Sequence, residues 1–121
     1  MLKKVRLELA RSPEFPDGSA RHGYEFSAPL RRDGHIDAEI WARHRAKCKV
    51  RRFWEGEEDA HGHLRHVGSR WAFHYDLDRE PTVDEPGYRF ESHAFRPGEY
   101  VSITEHDGSL RTFKVASVVD G

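Results

Sequence analysis

This sequence has a single cysteine, Cys48, in 121 residues, which excludes an internal disulfide framework and fits a reducing compartment. It has no surplus of either charge: 20 Lys plus Arg stand against 21 Asp plus Glu, a formal charge of −1. No global electrostatic pull toward nucleic acid or membrane follows, so local patches must carry any such role. Long apolar runs are missing too. None approaches the ~20 residues of a membrane span, and the N-terminus, MLKKVRLELA, enters an alternating pattern at once instead of a signal-peptide apolar run. The expectation is a cytoplasmic protein with no membrane partner. Repeats, low-complexity tracts and linker-like breaks are absent, so residues 1–121 read as one domain. A chain of this length buries roughly two-thirds of its unfolded surface, enough for a small core.

What is present is mostly the period-2 signature of strands. Val5, Leu7 and Leu9 alternate with Lys4, Arg6 and Glu8, and after the turn-rich SPEFPDGS the next run puts Tyr24, Phe26, Ala28 and Leu30 on one face, as in a strand pair. Residues 36–50, IDAEIWARHRAKCKV, fit a strand through Ile36, Ala38, Ile40, Ala42, His44, Ala46 and Cys48, and a helix stripe through Ile36, Ile40, His44 and Cys48. Propensity decides for a helix over about 37–47: Ala, Glu, Arg and Lys dominate, with acids early (Asp37, Glu39) and bases late (Arg43, Arg45, Lys47), as the helix dipole prefers. VRRFW, HLRHV, RWAFHYDL, YRFESHAF and a final hairpin supply further strands, separated by EGEEDAHG and the acidic DREPTVDEPG. The predicted fold is α+β and mainly antiparallel β, a small sheet or open barrel of about six to eight strands with one helix near residues 37–47.

The final hairpin is the most patterned stretch. A three-residue loop of His106, Asp107 and Gly108, with Gly108 left-handed, sets Val101 opposite Phe113 and brings Val101, Ile103, Phe113 and Val115 onto one face, which a two-residue turn does not. Phe95, Pro97, Gly98, Tyr100 and Val101, followed by Arg111, Ala116 and Ser117, also resemble the F-x-P-G-Q-Y-V and R-x-Y-S-x-A-S strands of the flavin-binding barrel of the ferredoxin-reductase-like family. That resemblance implies a ring stacked on flavin from position 113 and cofactor contacts from Arg111 and position 114. Here those positions are Phe113 and Lys114 instead of Tyr and Ser, and the phosphate-binding helix and nicotinamide domain of the family have no counterpart. The residues favour an ordinary hairpin, with no cofactor predicted.

Three groups of residues carry candidate chemistry. Arg43, Arg45, Lys47, Lys49, Arg51 and Arg52, next to Phe53 and Trp54, combine cations with rings, the footprint of anion or nucleic-acid binding. Glu55, Glu57, Glu58 and Asp59 follow directly and partly neutralise them, which favours a solvated face. In the second group His61, His63 and His66, with His74 or His93 from another strand, offer donors suited to Zn or Ni, but without a recognised ligand spacing or a second cysteine. The third group is aromatic: Trp41, Trp54, Trp71, Phe73, Tyr75, Tyr88 and Phe90 read as core. His74 and Asp76 could pair as base and orienter, yet no serine-nucleophile motif accompanies them, and Cys48 fits a small core thiol. The functional expectation is a small non-catalytic binding or interaction protein, its partner another protein or an anionic ligand. The alternatives are nucleic-acid binding through 43–54 and a metal-binding protein or metal-dependent hydrolase using 57–66.

Overall fold

In a computed structural model of the chain, the described residues are 2–67, 70–75, 89–90, 94–105 and 109–121. They form eight antiparallel strands: β1 (Leu2–Leu9), β2 (Ser19–Pro29), β3 (Lys49–Trp54), β4 (Ala60–Val67), β5 (Arg70–Tyr75), β6 (Arg89–Phe90), β7 (Tyr100–Thr104) and β8 (Leu110–Asp120). Each pairs with the next in sequence, and β8 returns to β1. The sheet is therefore a curled wall, wide from β7 through β8 and β1 to β5. Across β6 it narrows to the pairs Trp71–Phe90, Ala72–Arg89 and Arg89–Thr104. Curling the sheet round in this way hides most backbone edges, which a small β protein must otherwise protect.

Alternation sets the inside. Val5, Leu7 and Leu9 from β1, Tyr24, Phe26 and Ala28 from β2, Val101 and Ile103 from β7, and Phe113 and Val115 from β8 are all buried. The interior is filled by rings packed in tilted and edge-on pairs. Tyr24 meets Phe73 and Phe113 with centroids 5.1 Å apart, and Phe26 meets Phe73 and Phe95 at 5.3 Å. A shift of register between Arg6 and Leu7 leaves Ala116 as an extra residue in β8. This bulge keeps both Val115 and Val118 against the core although they are three positions apart. Gly23 is required by close approach: a Cβ there would lie 1.9 Å from the Leu7 carbonyl oxygen and 3.1 Å from the Phe53 ring.

The predicted hairpin register is present, with Val101 opposite Phe113 and Thr104 opposite Leu110. Its loop residues His106, Asp107 and Gly108 lie outside the described residues, as do Asp76, Tyr88 and His93. The predicted helix is in place but divided. It runs as α1 (Ala38–Arg43), capped by Asp37, whose Oδ1 accepts the Ile40 amide at 3.1 Å, and is followed by a 3₁₀ turn over Arg45–Lys47. The division has a packing cause. Trp41 is fixed over the barrel end, its Nε1 donating to the Leu64 carbonyl at 3.0 Å and its ring edge-on to Trp71 at 5.5 Å. Cys48, wholly buried, enters the core directly before β3, and the exposed 3₁₀ turn carries the chain between these two anchors. Among the described residues no helix is long and apolar enough to cross a membrane.

Candidate functional site

The pleat of β3 splits the basic run of the sequence in two. Val50, Arg52 and Trp54 turn inward, while Lys49, Arg51 and Phe53 turn outward. Arg52 is buried and meets Glu105, which is only 1% exposed. The guanidinium Nη2 donates to Glu105 Oε1 at 3.1 Å and Nε to Oε2 at 3.4 Å, while Nη1 reaches Glu57 Oε1 at 3.2 Å. Tyr24 donates its hydroxyl to the same carboxylate. Arg111 Nε lies 3.6 Å from Glu105 Oε1, and its Nη1 lies 3.5 Å from Glu14. Both guanidiniums lie over the Trp54 ring, at 4.2 and 5.2 Å. Burial alone would lower the Arg52 pKa, but the hydrogen bond and field of Glu105 outweigh it and raise the pKa above the ordinary arginine value. This is a polar plug in one mouth of the barrel. Glu105, Tyr24 and Arg111 were absent from the sequence-derived anion set. Their signal was parity: Glu105 continues Val101 and Ile103, and Arg111 precedes Phe113 and Val115 on the inward face.

Outside, the same pleat merges two constellations that are separate in sequence. Lys49 stands opposite His63 and Arg51 opposite His61, and His63 in turn stands opposite His74. Lys4, on β1, is opposite Ser27. A groove of about 230 Å³ is lined here by Lys4, Ser27, Lys49, Arg51, His61 and Glu25. Its one carboxylate is already engaged, since Glu25 lies 3.2 Å from Arg6 and 3.5 Å from Arg51, and Arg51 also holds Asp59 at 2.9 Å. Lys4, Lys49 and His61 are exposed. The rings nearby are covered: Phe53 lies under Arg6 and Arg51 at 4.4 and 5.1 Å, and Arg45 lies over Trp41 at 5.2 Å. Arg43 and Lys47, on the helical segment, are exposed. Arg45 and His63 share a second groove of about 220 Å³ with Trp41, Arg65 and His66.

Of the four histidines named from sequence, three share one face of the sheet, with His63 directly opposite His74, and the fourth is set apart. His61, His63 and His74 have outward parity, whereas His66 stacks flat on Trp71, centroids 4.1 Å apart and planes at 16°. Among the described residues, no group of three or more His, Cys, Asp or Glu is arranged to hold a metal ion, so Zn or Ni is not fitted by these donors. The flavin-like residues also diverge. Phe113, at the position of the stacking ring, is wholly buried against Tyr24, Arg111 turns to Glu105, and Tyr100 and Lys114 face solvent. Ser19 Oγ does lie 2.6 Å from His22 Nδ1, a contact that raises the question of a nucleophile. However, His22 is 7% exposed and wedged between Phe15 and Trp54, and Ser19 Oγ also accepts the Arg21 amide. The carboxylates whose fields His22 feels, Glu55 and Glu57, are taken by Arg21 and Arg52. The pair is a local brace for the start of β2. No family model matches this chain, and neither the curated proteins nor the solved structures give a match to it.

Proposed function

We propose that this chain is a cytoplasmic, non-catalytic binding module whose partner is anionic and is held by the outer face of β1 to β4. The observation that carries this reading is the β3–β4 register, with Lys49 opposite His63 and Arg51 opposite His61. It converts a basic run and a histidine run into one surface, with Lys4 and Lys49 exposed at its groove. The acids that follow the basic run in sequence oppose it only in part: Glu57, at the rim, pairs with the buried Arg52, Glu55 holds Arg21 at 2.7 Å, and Asp59 holds Arg51.

The chemistry favours oxyanions over bases. Nucleobase recognition uses open rings on which bases stack, and the rings near this face are capped by guanidiniums or turned inward. Phosphate, sulfate or carboxylate groups need only the cations and the Ser27 hydroxyl. Recognition is then carried by charge, and binding should weaken steadily with salt.

Fluorescence anisotropy with a labelled single-stranded oligonucleotide, with inorganic polyphosphate as competitor, tests the reading. Saturable binding at low salt, displacement by polyphosphate and a large loss in Lys49→Glu but not in Lys114→Glu on β8 are expected. Absence of binding to both polyanions at low salt, or binding indifferent to Lys49→Glu, would overturn it.

A further inference from the structure

The groove between the helical segment and β4 carries charge of one sign. Two guanidiniums, Arg45 and Arg65, and two imidazoles, His63 and His66, line it beside Trp41, and among the described residues no carboxylate does. Both arginines are exposed. Arg45 is nonetheless positioned: its guanidinium lies over the Trp41 ring at 5.2 Å, and its Nε is 3.4 Å from the Ala42 carbonyl oxygen. A guanidinium lying on a ring presents its edge, where the N–H donors are, to an oxyanion.

This groove and the one at Lys4 lie on one line. Lys4 stands opposite Ser27, and Lys49 opposite His63. Phe26 pairs with Val50, so Ser27 and Lys49 occupy the next positions of that alignment, and the four residues form a row across β1 to β4. Lys49 lines the first groove and His63 the second, so the grooves meet at this pair. Beyond it, the Leu64 amide donates to the Cys48 carbonyl at 2.8 Å, which ties the end of the 3₁₀ turn to β4 and puts Arg45 past the end of the row. Three strand spacings of about 4.8 Å separate Lys4 from His63, roughly 14 Å before Arg45 is reached.

Size and charge together select the ligand. At about 230 and 220 Å³, each groove is smaller than the roughly 300–1,000 Å³ of a site that engulfs a small molecule. In the first groove Arg51 is matched by Glu25 and Asp59, which leaves Lys4 and Lys49 as its exposed cations. A single phosphate or sulfate would meet the cations of one groove and leave those of the other in water. A chain that repeats such groups meets both, and its second contact forms at high effective concentration. Resting on the oxyanion role proposed above, we infer that the ligand is a linear polyanion, a chain bearing phosphate or sulfate groups at intervals, that lies across the strands from Lys4 to Arg45 and occupies both grooves.

Calorimetric titration of the full chain with tripolyphosphate, which is shorter than the row, and with long-chain polyphosphate tests this. A heparin disaccharide and a long heparin oligosaccharide form the sulfated pair, and affinities are compared per anionic group. In at least one series the long chain should bind about tenfold tighter or more, and the series that shows this identifies the phosphate or sulfate source. Arg45→Glu should remove most of that preference and lower the long chain's salt slope by about one. Arg45→Lys, which keeps the charge, should retain the preference, and so should Lys114→Glu on β8, which changes net charge as much as Arg45→Glu does. Equal affinity of short and long chains in both series, or a preference that survives Arg45→Glu, would overturn the spanning ligand, while the oxyanion face would still stand on its own loss in Lys49→Glu. Failure of all four anions to bind at low salt would remove both.

Discussion

Replacing Glu105 by alanine should be among the most damaging single changes in this barrel. The carboxylate is 1% exposed and is shared by the Tyr24 hydroxyl, two nitrogens of Arg52 and Nε of Arg111. Among the described residues, truncation leaves a buried guanidinium with only Glu57, at the rim, as a charge partner, and deprives the buried Tyr24 hydroxyl of this acceptor. Breaking a buried pair from one side costs about 3–5 kcal/mol, a large part of the roughly 5–15 kcal/mol that holds a domain of this size. Glu105→Gln keeps the volume and one acceptor but loses the charge, and should cost less, about 1.5–3 kcal/mol. The double change Arg52→Met, Glu105→Leu removes both charges together and should regain most of the loss, as replacing a whole buried pair by apolar side chains commonly does. Urea melts followed by tryptophan fluorescence, analysed as a double-mutant cycle, measure all of this. A Glu105→Ala cost below about 1 kcal/mol would show that water or movement of Arg52 compensates freely, and the plug would contribute little to holding the barrel together. A double variant no more stable than Glu105→Ala would contradict the charge reasoning separately.

The other expectations rest on single positions. Phe113→Ala should cost about 3–5 kcal/mol by leaving a cavity beside Tyr24, while Lys114→Ala on the outward face should be nearly silent; equal costs in denaturant melts would mean the faces are misassigned. Burial lowers the His22 pKa, helped by Arg52 and Arg111 and opposed by Glu55 and Glu57. The unfolded chain therefore takes up this proton at higher pH than the folded one. The stability from neutral His22 is full above the ordinary histidine value and is lost as pH falls through the depressed folded one. His22→Phe should flatten that acid-side slope in melts across pH, and an unchanged slope would refute the shift. Cys48 is fully buried and its pKa is pushed up to about 11 by desolvation, so iodoacetamide at mildly alkaline pH should label it slowly in the native protein and quickly in urea. Equal rates would place the thiol at the surface.

Much of the fold was legible because period-2 alternation reports directly on which side of a sheet is dry. Val5, Leu7 and Leu9, Tyr24, Phe26 and Ala28, and the hairpin with Val101 opposite Phe113 were readable from apolar parity alone. The helix was readable through its residue propensities and charge order, but not its Asp37 cap or its break after Arg43. The sites were less legible for a related reason. Apolar parity identifies a core face only where that face is apolar, so the inward Glu105, Arg52 and Arg111 read as surface charges until strands far apart in sequence set them at one level.

The pleat has a further consequence for reading charge in β proteins. In a helix, the six basic residues of 43–52 would spread over one cylinder and act together or not at all. In β3, alternate residues serve opposite purposes: Arg52 is withdrawn to close the barrel mouth, and Lys49 and Arg51 are presented outside beside histidines from the next strand. The positive charge available to a partner is then set by register more than by local composition. A one-residue slip of β3 against β4 would bury Lys49 and Arg51 and expose Arg52. The buried Arg52–Glu105 pair opposes that slip, because it can form only when Arg52 points inward. The structural plug and the proposed binding face are thus two outcomes of one alignment, and loosening the first through Glu105 should also weaken oxyanion binding at the second, although no residue of the plug lines that groove.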